Sequence, residues 1–144
     1  MPKPYKIKNI SRILDANLNR AKEGLRVCEE ITRFILNSPA FTQGLKELRH
    51  RITALSERLA AKADMLQERD SLADRGKNIY GQELKREDTQ DIFFANIQRA
   101  KESLRVLEEF SKLKEKSLAR EFKDLRYSLY ELEKKIAHRL LALR

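Results

Sequence analysis

Apolar residues recur every three or four positions along most of this chain, and in two stretches they do so with nearly the same letters. Ala16-Asn17-Leu18-Asn19-Arg20-Ala21-Lys22-Glu23-Gly24-Leu25-Arg26-Val27-Cys28-Glu29-Glu30 returns as Ala95-Asn96-Ile97-Gln98-Arg99-Ala100-Lys101-Glu102-Ser103-Leu104-Arg105-Val106-Leu107-Glu108-Glu109. At about 100° per residue, Ile13, Leu14, Leu18, Ala21, Leu25, Cys28 and Ile31 form one wide apolar arc, with Val27 and Phe34 at its far edge. Further on, Leu45-Lys46-Glu47-Leu48-Arg49 matches Phe122-Lys123-Asp124-Leu125-Arg126. Each repeated unit is therefore two helical segments long.

The pattern predicts four helices. The first runs from Asn9 or Ser11, either of which can cap it, to about Leu36, after an extended lead of Met1 to Lys8. Ser38 caps a second, with Pro39 in its first turn. Its stripe is Phe41, Leu45, Leu48, Ile52, Leu55, Leu59, Ala63 and Leu66, ending near Arg69. Periodicity is lost from Asp70 to Asp88, which predicts a crossover loop, and loops longer than about a dozen residues in compact domains are usually functional or disordered. A third helix starts after Asp88 or Thr89 and ends near Lys114. Ser117 caps a fourth, whose stripe is Leu118, Phe122, Leu125, Leu129, Leu132, Ile136, Leu140 and Leu143. The expected fold is all-α: one domain over 1–144, built as a four-helix bundle of two hairpins (about 9–69 and 89–144) with internal pseudo-twofold symmetry.

Composition narrows the class. Hydrophobic residues are 41% and charged residues 37%, with four Gly and three Pro, which suits helices and leaves little for strands. The single cysteine, Cys28, rules out an internal disulfide and points to a reducing cytoplasm. No apolar run approaches the roughly 20 residues of a membrane span. The net charge of +9 favours anionic partners. Because Lys and Arg alternate with Glu and Asp at helical spacing, as in Arg105 with Glu109, the expected anion is a small phosphorylated molecule rather than nucleic acid.

The candidate chemistry lies in polar residues on the apolar face. Asn17 falls near the middle of the first arc and Arg20 inside it; Asn96 and Arg99 take the same places against Phe93, Ala100, Leu104, Leu107 and Phe110. A buried amide or guanidinium without partners costs on the order of 2 kcal/mol or more, so these residues must either knit a polar network or line a pocket. His50 and His138 stand alone, without metal-ligand spacing. Gly76-Lys77 resembles the end of a P-loop, but no glycine stands five residues earlier and no strand precedes it.

Together, Arg12-Ile13-Leu14-Asp15-Ala16-Asn17, Arg20-Ala21-Lys22-Glu23-Gly24-Leu25-Arg26-Val27, Arg69-Asp70 with Asp74 and Gly76, Ala95-Asn96 with Arg99, and Leu125-Arg126-Tyr127 with Tyr130 and Glu133 resemble one known module. It is the helical, non-ribokinase type of hydroxymethylpyrimidine phosphate kinase, found alone or as the N-terminal domain of some thiamin phosphate synthases. The resemblance implies ATP-dependent conversion of hydroxymethylpyrimidine phosphate to its diphosphate, with Mg²⁺. No barrel follows in this chain, so synthase activity is not part of the expectation.

That reaction brings two polyanions together, so it needs arginines and a carboxylate-held cation more than a strong base. Arg20, Arg99, Arg69 and Asp74 are the candidate catalytic residues, and Asn17, Asn96 and Arg126 the candidates for substrate. Asp70 and Gly76 would meet the nucleotide, with Asp70 and Asp74 at Mg²⁺. Two other readings stay open: a non-catalytic pyrimidine-phosphate module that docks on thiamin phosphate synthase, and a helical structural or RNA-contacting protein. A homodimer is a second way to bury the apolar arcs.

Overall fold

The structure, a computed structural model, describes residues 4–59, 69–77 and 81–143. Its four main helices are α1 (Pro4–Phe34), α2 (Pro39–Leu59), α3 (Thr89–Ser111) and α4 (Lys116–Leu141). Between α2 and α3 lie a 3₁₀ turn at Arg75–Lys77 and a single helical turn at Gly81–Leu84. No strand occurs among the described residues.

Several boundaries differ from expectation for local reasons. α1 begins at Pro4, in the lead predicted to be extended, because a first-turn proline lacks only an N–H that the turn leaves unused. Ile10 then packs against the core and anchors the added turns. At the other end, Asn37 adopts φ 50° and Ser38 N donates to Thr32 O at 2.9 Å, which closes the helix through a left-handed residue. Phe34, placed on the apolar arc by periodicity, sits at this terminus and is exposed. Ser38 does cap α2, its Oγ accepting from Phe41 N at 3.2 Å. Asp88 caps α3 by accepting from Asp91 N at 2.8 Å. Ser117 is not the cap of α4: Glu115 holds that position, and Ser117 Oγ, inside the first turn, donates to Glu115 Oε1 at 2.6 Å. Leu143 lies beyond the end of α4 and is exposed, while Ala63 and Leu66 of the predicted second stripe fall outside the described residues.

α1 packs on α2 and α3, and α4 lies between α3 and α2, so the four helices surround one core. Leu14, Leu25, Leu45, Ile52, Phe93, Leu107, Phe122 and Leu129 are buried there. α1 and α3 run antiparallel: Cys28 Sγ reaches Phe93 O at 3.8 Å, while Gly24 faces Asn96 and Ala100. A Cβ at Gly24 would come within 2.8 Å of Asn96 O, so glycine is what lets the two backbones approach here.

Each hairpin is pinned by an ion pair. Arg49 of α2 donates from Nε to Glu29 Oε2 at 2.6 Å and from Nη2 to Oε1 at 3.1 Å. Arg126 of α4 donates from Nη2 to Glu108 Oε1 at 3.1 Å. Glu29 and Glu108 are 3% and 4% exposed, so these carboxylates are core groups that require their partners. Arg26 with Glu30 and Arg105 with Glu109 are the ordinary helix-surface pairs their spacing suggests.

Candidate functional site

One cleft of ≈ 1250 Å³ opens between the N-terminal half of α1, the C-terminal half of α3 and the crossover. α1 contributes Arg12, Ile13, Asp15, Ala16, Asn17, Arg20 and Glu23; α3 contributes Arg99, Glu102, Ser103 and Val106; the crossover contributes Arg69, Asp70, Asp74, Gly76 and Lys77. Arg20 and Arg99 occupy the same place in the two repeats, as do Glu23 and Glu102, and all four line this one cleft. The antiparallel packing explains this. Copies of one position on two helices related by a twofold converge where the axis passes, and Ala21 and Ala100, buried beside it, keep the approach close.

The crossover is fastened to α1 by one ion pair and touches it at a second place. Arg69 donates from Nε and Nη2 to the two oxygens of Asp15, at 2.8 Å each, and these bonds raise the guanidinium pKa above its ordinary value. Gly76 lies against Arg20, whose Nη2 is 3.6 Å from where a Cβ on that glycine would stand. Asp70 Oδ1 accepts from Ala73 N at 3.0 Å and Asp74 Oδ1 from Gly76 N at 2.8 Å, so one oxygen of each carboxylate shapes the turn. Lys77 Nζ bonds Leu72 O across the same turn.

Asn17 is buried in the cleft wall, and its amide donates to Ile13 O at 2.8 Å. Asn96 makes the same bond to Ile92 O at 2.8 Å, but it is not among the residues lining the cleft. Neither amide is seen to bond across the pseudo-twofold; each ties down its own helix. Arg99, expected on the buried face, is exposed toward the cleft. Arg126 also stands away from it: besides Glu108, its Nη1 donates to Tyr130 Oη at 3.1 Å, and its guanidinium lies 5.2 Å from the Tyr127 ring centre and 5.7 Å from that of Tyr130. Seven of the nine sequence-picked residues thus meet at one place, and Asn96 and Arg126 do not.

Asp15, Lys77 and the pair Glu23 and Glu102 were not among the candidate site residues read from the sequence. A signal existed for Asp15, since its counterpart in the second copy is Phe94 and most neighbouring positions are kept. The cleft carries five cationic and five acidic side chains: Arg12, Arg20, Arg69, Lys77 and Arg99 against Asp15, Glu23, Asp70, Asp74 and Glu102. Among the described residues no group of three or more His, Cys, Asp or Glu is placed to hold a metal ion. One or two carboxylates completed by substrate phosphates and water are, however, the usual surroundings of Mg²⁺, and Asp70 and Asp74 fit that donor set. No described helix is long and apolar enough to cross a membrane.

The sequence profile of the ThiD2 family matches residues 12–135. The chain is 41% identical over 125 residues to the thiamine-phosphate synthase of Synechocystis sp., covering 86% of this chain and 35% of that protein. It is 38% identical over 139 residues to the thiamine-phosphate synthase of Nostoc punctiforme, covering 92% and 38%. With that of Rhodopirellula baltica it shares 38% over 135 residues, covering 90% and 36%. The chain thus spans about a third of the length of these curated relatives. No solved structure matches it.

Proposed function

The chain belongs to the ThiD2 family, and from that premise we propose that it phosphorylates hydroxymethylpyrimidine phosphate with ATP, giving the diphosphate used in thiamin assembly. An oxygen of the substrate's phosphate attacks the γ-phosphorus; the bond from that phosphorus to the β-phosphate's bridging oxygen breaks, and ADP leaves with the electron pair. The attacking oxygen is already anionic, so no base has to remove a proton. What the protein must supply is alignment and charge neutralisation.

The observation that supports this most is the meeting of Arg20 and Arg99 in one cleft with Asp70, Asp74 and Lys77. Two arginines from opposite helices can flank the transferring group, each offering a planar fork to phosphate oxygens. Asn17 has acceptor capacity left on its amide oxygen for the aminopyrimidine, and Ile13 and Val106 give the ring an apolar wall. Mg²⁺, held by Asp70 and Asp74, would neutralise charge on the nucleotide's phosphates. The coupled assay for ADP release with ATP, Mg²⁺ and hydroxymethylpyrimidine phosphate tests the proposal. Release that depends on the pyrimidine phosphate is expected; folded protein that releases none would overturn it.

The relatives' name, thiamine-phosphate synthase, favours a second reading, a pyrimidine-phosphate module serving a synthase. Calorimetry that shows binding of the pyrimidine phosphate, without turnover of ATP, would select it.

A further inference from the structure

Among the arginine–carboxylate pairs of this bundle, Asp15 with Arg69 is set apart by its place. The pairs of Glu29 with Arg49 and Glu108 with Arg126 join two helices within a hairpin and keep both partners largely covered. Asp15, by contrast, reaches out of α1 to the start of the crossover, and both members line the cleft. The Asp15 side chain is 13% exposed and that of Arg69 43%, so the arginine presents itself to solvent while its fork is filled by two 2.8 Å bonds. Phosphate matches that fork as carboxylate does, through two parallel N–H···O bonds. An ion pair with a half-exposed member is worth little against water and is readily exchanged. The repeat supplies an independent observation: the position of Asp15 is Phe94 in the second copy, so this pairing is not part of the scaffold the two repeats share.

We propose that Asp15 is a positioning residue, an internal stand-in for phosphate that holds Arg69 over the cleft until a phosphate group of the ligand takes its place. This rests on reading the cleft as a site for phosphorylated molecules. The released arginine then bonds the ligand, and the crossover stays fastened through that ligand rather than through Asp15.

The test is calorimetric titration of inorganic tripolyphosphate into the full chain, comparing wild type, Asp15→Asn, Arg69→Gln and the double variant. Asp15→Asn should bind about fivefold tighter, the factor expected from removing a weak competing pair, and in the Arg69→Gln background the same change should give almost no gain. An equal gain in both backgrounds would reduce Asp15 to one negative charge among several and overturn the proposal. Weaker binding by Asp15→Asn would overturn it too, by making the pair part of the bound state. Hydrogen exchange at residues 69–77 gives a second readout: faster than wild type in the free variant, equal to it when saturated. Should Asp15→Asn fail to fold, Asp15→Glu, whose longer arm cannot keep both bonds, is expected to shift binding in the same direction. A chain that couples Asp15 to Arg69 yet transfers no phosphoryl group keeps this proposal and loses the kinase; an active kinase without the coupling does the reverse.

Discussion

In the first hairpin, Arg49 reaches Glu29 from the neighbouring helix; in the second, Arg126 reaches Glu108 in the same way. The segments that precede these pairs share a sequence but not a situation. Asn17 stands in a cleft wall under the crossover, whereas Asn96 lies where its backbone oxygen nearly touches Gly24. Gly24 has Ser103 as its counterpart, so one end of the α1–α3 contact has no Cβ and closes, while the other carries one and borders the cleft. The two repeats thus supply one scaffold twice, and the crossover, present once, marks which half of each repeat lines the cleft.

If the buried pairs are the shared scaffold, breaking either should cost the same. Glu29→Ala and Glu108→Ala should each lower unfolding free energy by about 3 kcal/mol, because each removes the carboxylate partner of a largely covered guanidinium. Urea denaturation measures this, and a large inequality would mean the hairpins are not equivalent. Gly24→Ser, which copies the second repeat into the first, should cost about 2 kcal/mol by forcing a Cβ against Asn96 O. Ser103→Gly should cost only about 1 kcal/mol, the ordinary penalty of glycine in a helix.

Cys28, whose counterpart is Leu107, carries a further difference. Burial first, then the charges of Glu133 and Glu29, push its thiol from 9.0 to about 12. The folded chain therefore keeps a proton that the unfolded chain releases above pH 9, so stability is fully present below that pH and declines as pH rises toward 12. The expected slope is about 1.4 kcal/mol per pH unit. Denaturation at pH 9 to 11 should show this component in the wild type and not in Cys28→Ala. The smallest effect on stability is expected at the crossover. Asp74→Ala loses a turn bond to Gly76 N worth about 1 kcal/mol or less, and its melting temperature should barely move while turnover falls at least about tenfold.

The four helices and their twofold relation were legible because a 3.6-residue period, written twice, constrains which faces meet. What the repeat hid was the difference between its copies. Arg20 and Arg99 look alike in sequence and do share a cleft, but Asn17 and Asn96 look alike and do not, since that is decided by where an aperiodic segment lies. Glu29 and Glu30 are likewise indistinguishable by type. Only the partner helix, bringing Arg49 to one of them, makes Glu29 a core residue and leaves Glu30 on the surface side. Asp15 shows the converse, a departure from the repeat that marked the residue fastening the crossover.

The most direct test of this account is kcat/KM for phosphoryl transfer to hydroxymethylpyrimidine phosphate, measured side by side for Arg20→Ala and Arg99→Ala. Both should fall by about a hundredfold or more, as for the loss of one donor to a developing charge. If Arg20→Ala is crippled while Arg99→Ala keeps wild-type kcat/KM, the second repeat does not reach the site and the converging pair is not its centre.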